Sequence, residues 1–139
     1  MYHTIVVPVD LAHFEKLTKS LNTAAELAGL WNAAVYYAGV TSTQPSDVAH
    51  TIDEYRQILE DFAADQARQY DIDARPHMIV TADTTADLDY RLLEELSALK
   101  ADLVVMASHI PGVPDELHLK GSNAAYLARH AHCSVFVVR

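Results

Sequence analysis

Five short β-branched or apolar runs alternate with four longer stretches in which apolar residues recur every third or fourth position. No single motif constrains the fold as much. The runs are Thr4 to Val9, Ala34 to Val40, Pro76 to Val80, Asp102 to Ala107 and Ser134 to Val138. Between them, Phe14, Leu17, Leu21, Ala24 and Ala28 predict a helix over 13–29 that ends at Gly29. Ile52, Tyr55, Leu59, Phe62, Ala63 and Ala67 predict a second over 48–70, and Leu88, Leu92, Leu96 and Leu99 a third over 85–99. Thr84 and Asp87 have the spacing of a capping box at its start. A fourth helix begins near Ser122. Pro76 and partial alternation give the third strand an edge-like character.

Strict strand–helix alternation means repeated βαβ units. Their crossovers are right-handed and must cover the sheet on both sides. The expected fold is therefore α/β and doubly wound: one domain over residues 1–139, a five-stranded parallel sheet in order 3-2-1-4-5, and helices on both faces. Such sheets bind ligands outside the carboxyl ends of their strands, where the strand order reverses. The first and fourth strands should flank that crevice. Asp10 follows the first strand, and Ser108 and His109 follow the fourth.

The polar loop after strand four runs into Lys120-Gly121-Ser122-Asn123 just before the last helix. A helix start offers N–H groups without helical partners and a partial positive charge, so it can seat an anion. Glycine lets a phosphate approach, and Ser122 can donate to it. The same pair also serves as an ordinary helix cap, and both readings stay open on these residues. Tyr36 and Tyr37 are either core residues or neighbours of a stacked base.

Composition removes several classes. The net charge is −9, with ten basic residues scattered among nineteen acidic ones, which argues against a nucleic-acid partner. No apolar run approaches the roughly 20 residues of a membrane span. The first residues lack the basic start and apolar stretch of a secretory signal, and the one cysteine, Cys133, cannot close an internal disulfide. A cytoplasmic protein is expected, with Cys133 buried and inert. The eight histidines show no convincing metal-ligand spacing.

The stretch "MASHIPGVPDELHLKGSNAAYLARHAHCSVFVVR", together with "TIVVPVD" near the start, resembles the universal stress protein family, in particular its small FG-type branch. The similarity extends over essentially the whole chain in element order. It implies a stress-response sensor or regulatory module with an adenine-nucleotide site at the ends of strands one and four. ATP is the implied ligand, AMP the other candidate, and Mg²⁺ a candidate companion. Carried over by position, Asp10 would hold the adenine or ribose side and Val40 would line the base. Gly121 and Ser122 would cradle the phosphates, with Ser108 and His109 at the strand-four exit. Pro8, Val9, Met106, Ala107 and Asn123 flank these positions. The family also implies a homodimer through the last strand, since a bare "CSVFVV" edge would invite aggregation. A protein partner of unknown identity is implied too.

The chain departs from the family's Gly-x-x-Gly. Ala107 and Ile110 stand where the glycines would be, and ten residues separate Ile110 from Gly121. Isoleucine resists the positive φ that glycine allows. The loop therefore takes another path, with Gly112 close by and Pro111 and Pro114 stiffening it. Asp115 and Glu116 bring negative charge to this loop, against Lys120. Either a partner-binding protein without nucleotide or a slow ATP hydrolase is an alternative within the same fold. For hydrolysis, His109 would be the base and Lys120 the cation, but no Walker lysine motif is present. A receiver domain would need acids clustered at strand one and a lysine after strand five. Asp10 stands alone, and the last strand runs into Arg139. "PVDLAHFEK" also offers no flavin phosphate loop.

Overall fold

The computed structural model describes residues 1–82, 88–108 and 121–139, without the side chains of 121–123. The Thr84–Asp87 capping box and every residue from His109 to Lys120 lie outside these described residues.

Strands β1 (Thr4–Val9), β2 (Ala34–Thr41), β3 (Asp73–Val80), β4 (Leu103–Ala107) and β5 (Ser134–Val138) form one parallel sheet in the order β3-β2-β1-β4-β5. This is the expected α/β fold. β1 is central because Ile5, Val6, Val7, Pro8 and Val9 are all buried, as only a strand covered on both faces allows. Helices α1 (Thr18–Trp31) and α2 (Ile52–Tyr70) cover one face, where Ile5, Val7, Val35, Tyr37, Leu59 and Val105 share a core. Helices α3 (Leu88–Ala98) and α4 (Gly121–His130) cover the other, over Val6, Ala38, Ile79, Val104 and Met106. Tyr37 is fully buried, its ring edge-on to Phe62 at 5.3 Å, and so belongs to the core. Tyr36, on the opposite face of β2, lies under Arg75.

Several boundaries differ from those expected. The first helix does not end at Gly29. It begins as a 3₁₀ turn at Phe14–Leu17 and continues to Trp31, whose ring meets Tyr2 edge-on at 4.9 Å. Asn32, at φ 51°, closes it by donating its N–H to the Ala28 carbonyl. Asparagine is one of the few residues that adopts the left-handed region at low cost. Asp71 and Lys100, both at φ 53°, close the next two helices in that region. α2 starts at Ile52 rather than near 48. Thr51 Oγ1 accepts from the Glu54 N–H at 3.1 Å, and the Glu54 carboxylate reaches back to the His50 N–H at 2.6 Å.

β3 begins three residues earlier than expected. Arg75 grips the Asp73 carboxylate with two nitrogens and donates to the Tyr36 hydroxyl at 2.9 Å, which pins the early register of β3 on β2. The Arg75 guanidinium holds the Asp73 carboxyl below its usual range. Pro76 sits within the strand because β3 is an edge, where half of the N–H groups point away from the sheet. On the far side of β3, His77 Nε2 pairs with Glu95 of α3 at 2.6 Å.

At the amino end of the sheet, the Asp102 carboxylate accepts from the N–H groups of His3 and Thr4 at 2.8 and 3.0 Å. Asp102 therefore ends the α3–β4 connection as a clamp on β1 and is not the first residue of β4. Cys133 is half-buried rather than fully buried, and that burial pushes its thiol above the ordinary range.

Candidate functional site

At the carboxyl ends of β1 and β2 the sheet opens into a cavity of about 680 Å³. Its apolar side is built by Pro8, Val9, Ala38, Val40, Leu88 and Leu92. Its polar side carries Asp10, His13, Ser46, Asp47 and Tyr55. The polar groups come from the turn after β1, the loop after β2 and α2, while pleating decides which face each strand residue of the lining serves. Ala38 and Val40 lie toward α3, and Val9 and Tyr55 toward α2.

Asp10 is the first residue past β1, and its side chain is only 10% exposed. Both oxygens are engaged: Oδ1 accepts from the Ala12 N–H at 3.0 Å, and Oδ2 pairs with His13 Nδ1 at 3.1 Å. The chain turns sharply here, with the His13 N–H donating to the Asp10 carbonyl and the Lys16 N–H to the His13 carbonyl, each at 3.1 Å. Tyr55 comes from the buried face of α2. Its burial, and secondarily the Asp10 carboxylate, push its phenol well above the ordinary range, so it stays neutral. Its hydroxyl occupies the space a side chain at Gly39 would need, and two of its ring carbons lie 3.2 Å from the position of that missing Cβ. Gly39 is thus small because Tyr55 needs room at the cavity wall.

The segment 42–48 forms the outer wall. Ser46 organises it: its hydroxyl accepts from the N–H groups of Val48 and Ala49, both at 3.3 Å, and its own N–H donates to the Ala49 carbonyl at 2.8 Å. Such turns suit serine, whose short hydroxyl mimics a backbone acceptor.

Of the residues singled out from sequence, Pro8, Val9, Asp10 and Val40 meet in this cavity. Met106 is fully buried between the sheet and the α3–α4 layer, and Ala107 packs against the opposite core. Ser108 extends the β4–β5 ladder through its N–H to the Val138 carbonyl at 2.8 Å. These three are not among the described residues lining the cavity. Gly121 opens α4, with Ser122 and Asn123 in its first turn. His109 lies outside the described residues. His13, Tyr55 and the 42–48 wall were missed. The Asp10-x-x-His13 spacing was the available sign for His13, and Pro45-Ser46-Asp47 was a turn signal. Tyr55 looks like any core position on the apolar stripe of a helix. Tyr36 and Tyr37 do not line the cavity.

No helix among the described residues is long and apolar enough to cross a membrane. Among the same residues, no three His, Cys, Asp or Glu side chains gather as a metal site.

Comparison with known proteins gives one consistent result. The model of the universal stress protein family matches residues 1–139. Universal stress protein G of Escherichia coli O157:H7 is 31% identical over 147 aligned residues, covering all of both chains. Among solved structures, a universal stress protein in complex with cAMP superposes with a TM-score of 0.67 at 24% identity, over 99% of this chain and 97% of that one. The universal stress protein of Archaeoglobus fulgidus in complex with dAMP gives 0.66 at 21% identity, over 99% and 98%.

Proposed function

Because the chain belongs to the universal stress protein family, we propose that it binds an adenine nucleotide at the carboxyl end of its sheet and works as a stress-response sensor or regulatory module. In this reading residues 1–139 act as one universal stress protein domain in the cytoplasm. ATP is the ligand, with AMP as the smaller alternative. The base and ribose occupy the cavity over β1 and β2, and the phosphates run past the end of β4 toward the start of α4. Ser108, His109, Gly121, Ser122 and Asn123 then serve the phosphate half, with Mg²⁺ as companion.

The observation that carries the reading is the cavity itself. Its volume suits a nucleoside, and its apolar side, with Val9 and Val40, gives a base side chains to pack on. Asp10 stands at its edge as an acceptor for the donor groups of base or sugar. Relatives of the same fold solved with cAMP and dAMP support the choice of adenine nucleotides. The opening of α4 at Gly121 supports an anion there, since unpaired N–H groups at a helix start favour phosphate.

The test is thermal unfolding with and without excess ATP and Mg²⁺, repeated with AMP. Ligand at about 100 times its Kd should add roughly 2.7 kcal/mol of stability. Unchanged melting with both nucleotides would select the second reading, a partner-binding protein of the same fold. One observation favours that alternative: the described lining carries Asp10 and Asp47 but neither lysine nor arginine.

The reading includes a homodimer through β5. This strand is an edge of the sheet, and it exposes Phe136 at 45% and Val137 at 36%. Apolar edges of this kind are normally covered. Light scattering should give twice the chain mass, and Phe136→Lys should give a monomer. A monomeric parent protein at tens of micromolar would remove the dimer.

A further inference from the structure

Resting on the nucleotide reading, we propose that His13 is a ligand-contacting specificity residue, presented to the cavity by Asp10. The pairing of these two side chains is the basis. His13 is fixed three times over: by its N–H on the Asp10 carbonyl, by its carbonyl on the Lys16 N–H, and by its ring on Asp10 Oδ2. The ring remains 31% exposed and lines the cavity, while its carboxylate partner is nearly buried. A side chain held in this way loses little freedom when a ligand arrives.

The chemistry of the contact follows from the pair. A carboxylate accepts only, so the ring nitrogen facing it, Nδ1, carries the proton. In the neutral imidazole Nε2 is then an acceptor, as a hydrogen bond to one ring nitrogen fixes the role of the other. Asp47 adds a second carboxylate to the lining, while the neutral Tyr55 keeps a phenolic proton to donate. The polar side of the cavity therefore holds several acceptors, and the ligand group that matches Nε2 is a hydrogen-bond donor. A nucleoside has two such groups: the exocyclic amine of adenine and the ribose hydroxyls. A ligand presenting a carbonyl edge there would set acceptor against acceptor, which is how polar sites reject close analogues.

The experiment separates the hold on Asp10 from the contact with ligand. In His13→Asn, the side-chain amide N–H can replace Nδ1 as the donor to Asp10, but nothing replaces Nε2. His13→Ala removes both. Calorimetric titration would use three ligands: AMP, its analogue lacking the exocyclic amine (purine riboside monophosphate), and 2′,3′-dideoxy-AMP. His13→Asn should bind AMP about three- to tenfold more weakly than the parent while melting at the same temperature. For one of the two analogues, the one lacking the group that Nε2 reads, parent and variant should bind alike. That arm identifies the amine or the sugar as the source of the donor.

An equal loss for all three ligands would mean that His13 only shapes the loop, and the proposal falls. So it does if His13→Asn and His13→Ala both bind AMP like the parent. If the parent protein binds none of the three, the nucleotide reading itself fails, and the role of His13 goes with it.

Discussion

Leu59→Ala is expected to destabilise the protein by about 2–5 kcal/mol, a large part of the whole stability of a domain this size. Leu59 is fully buried in the middle of α2, within the core that holds Tyr37, Tyr55, Phe62 and Val35. Removing its branched end leaves a cavity that the rigid sheet on one side cannot collapse to fill. The melting temperature should fall by roughly 10 °C. Leu59 lies one helical turn beyond Tyr55 on the same buried face, so the wall of the cavity over β1 and β2 should loosen with it. Urea unfolding followed by circular dichroism measures the change. A loss below about 1 kcal/mol would mean that α2 is not packed on the sheet as described.

On the proposed function, Asp10→Ala should weaken adenine-nucleotide binding by about ten- to a hundredfold, as expected for losing hydrogen bonds to a charged acceptor. The variant also frees the Ala12 N–H and the His13 ring, so some loosening of the 3₁₀ turn comes with it. Asp10→Asn keeps the shape of the side chain while removing the charge and one acceptor. Its amide oxygen can still accept from Ala12, while its amide nitrogen no longer accepts from His13 or from a ligand. Asn should retain most of the folding stability and little of the affinity. Equal affinity in the parent and both variants, measured by titration with AMP, would place the ligand elsewhere.

The layered sheet was readable because its strands are buried on both faces and so appear as unbroken β-branched runs, "TIVVPV" above all. The boundaries that shifted did so where a side chain overrides the pattern. Asn32 stops a helix that Gly29 does not, since Trp31 still has Tyr2 to pack on. Thr51 and Glu54 cap α2 after a turn that Ser46 organises. The polar first half of β3 escaped notice because an edge strand needs no apolar alternation there; Arg75 holds it instead.

The cavity was legible at Pro8, Val9, Asp10 and Val40, each beside a strand end. It was not legible at Tyr55, whose spacing marks only a buried helix face, or at Gly39, whose small size has meaning only once the Tyr55 hydroxyl fills the gap. Those contacts arise from packing between elements far apart in the chain, and no local spacing records them.

The first strand of the chain is also the middle of the sheet. Its neighbours are β2, which follows soon after, and β4, which comes only near the far end. During synthesis, β1 and β2 can pair early and then wait with one apolar margin open until Leu103 and Val104 leave the ribosome. A slower supply of β4 should therefore lengthen the time that this margin of β1 stays uncovered.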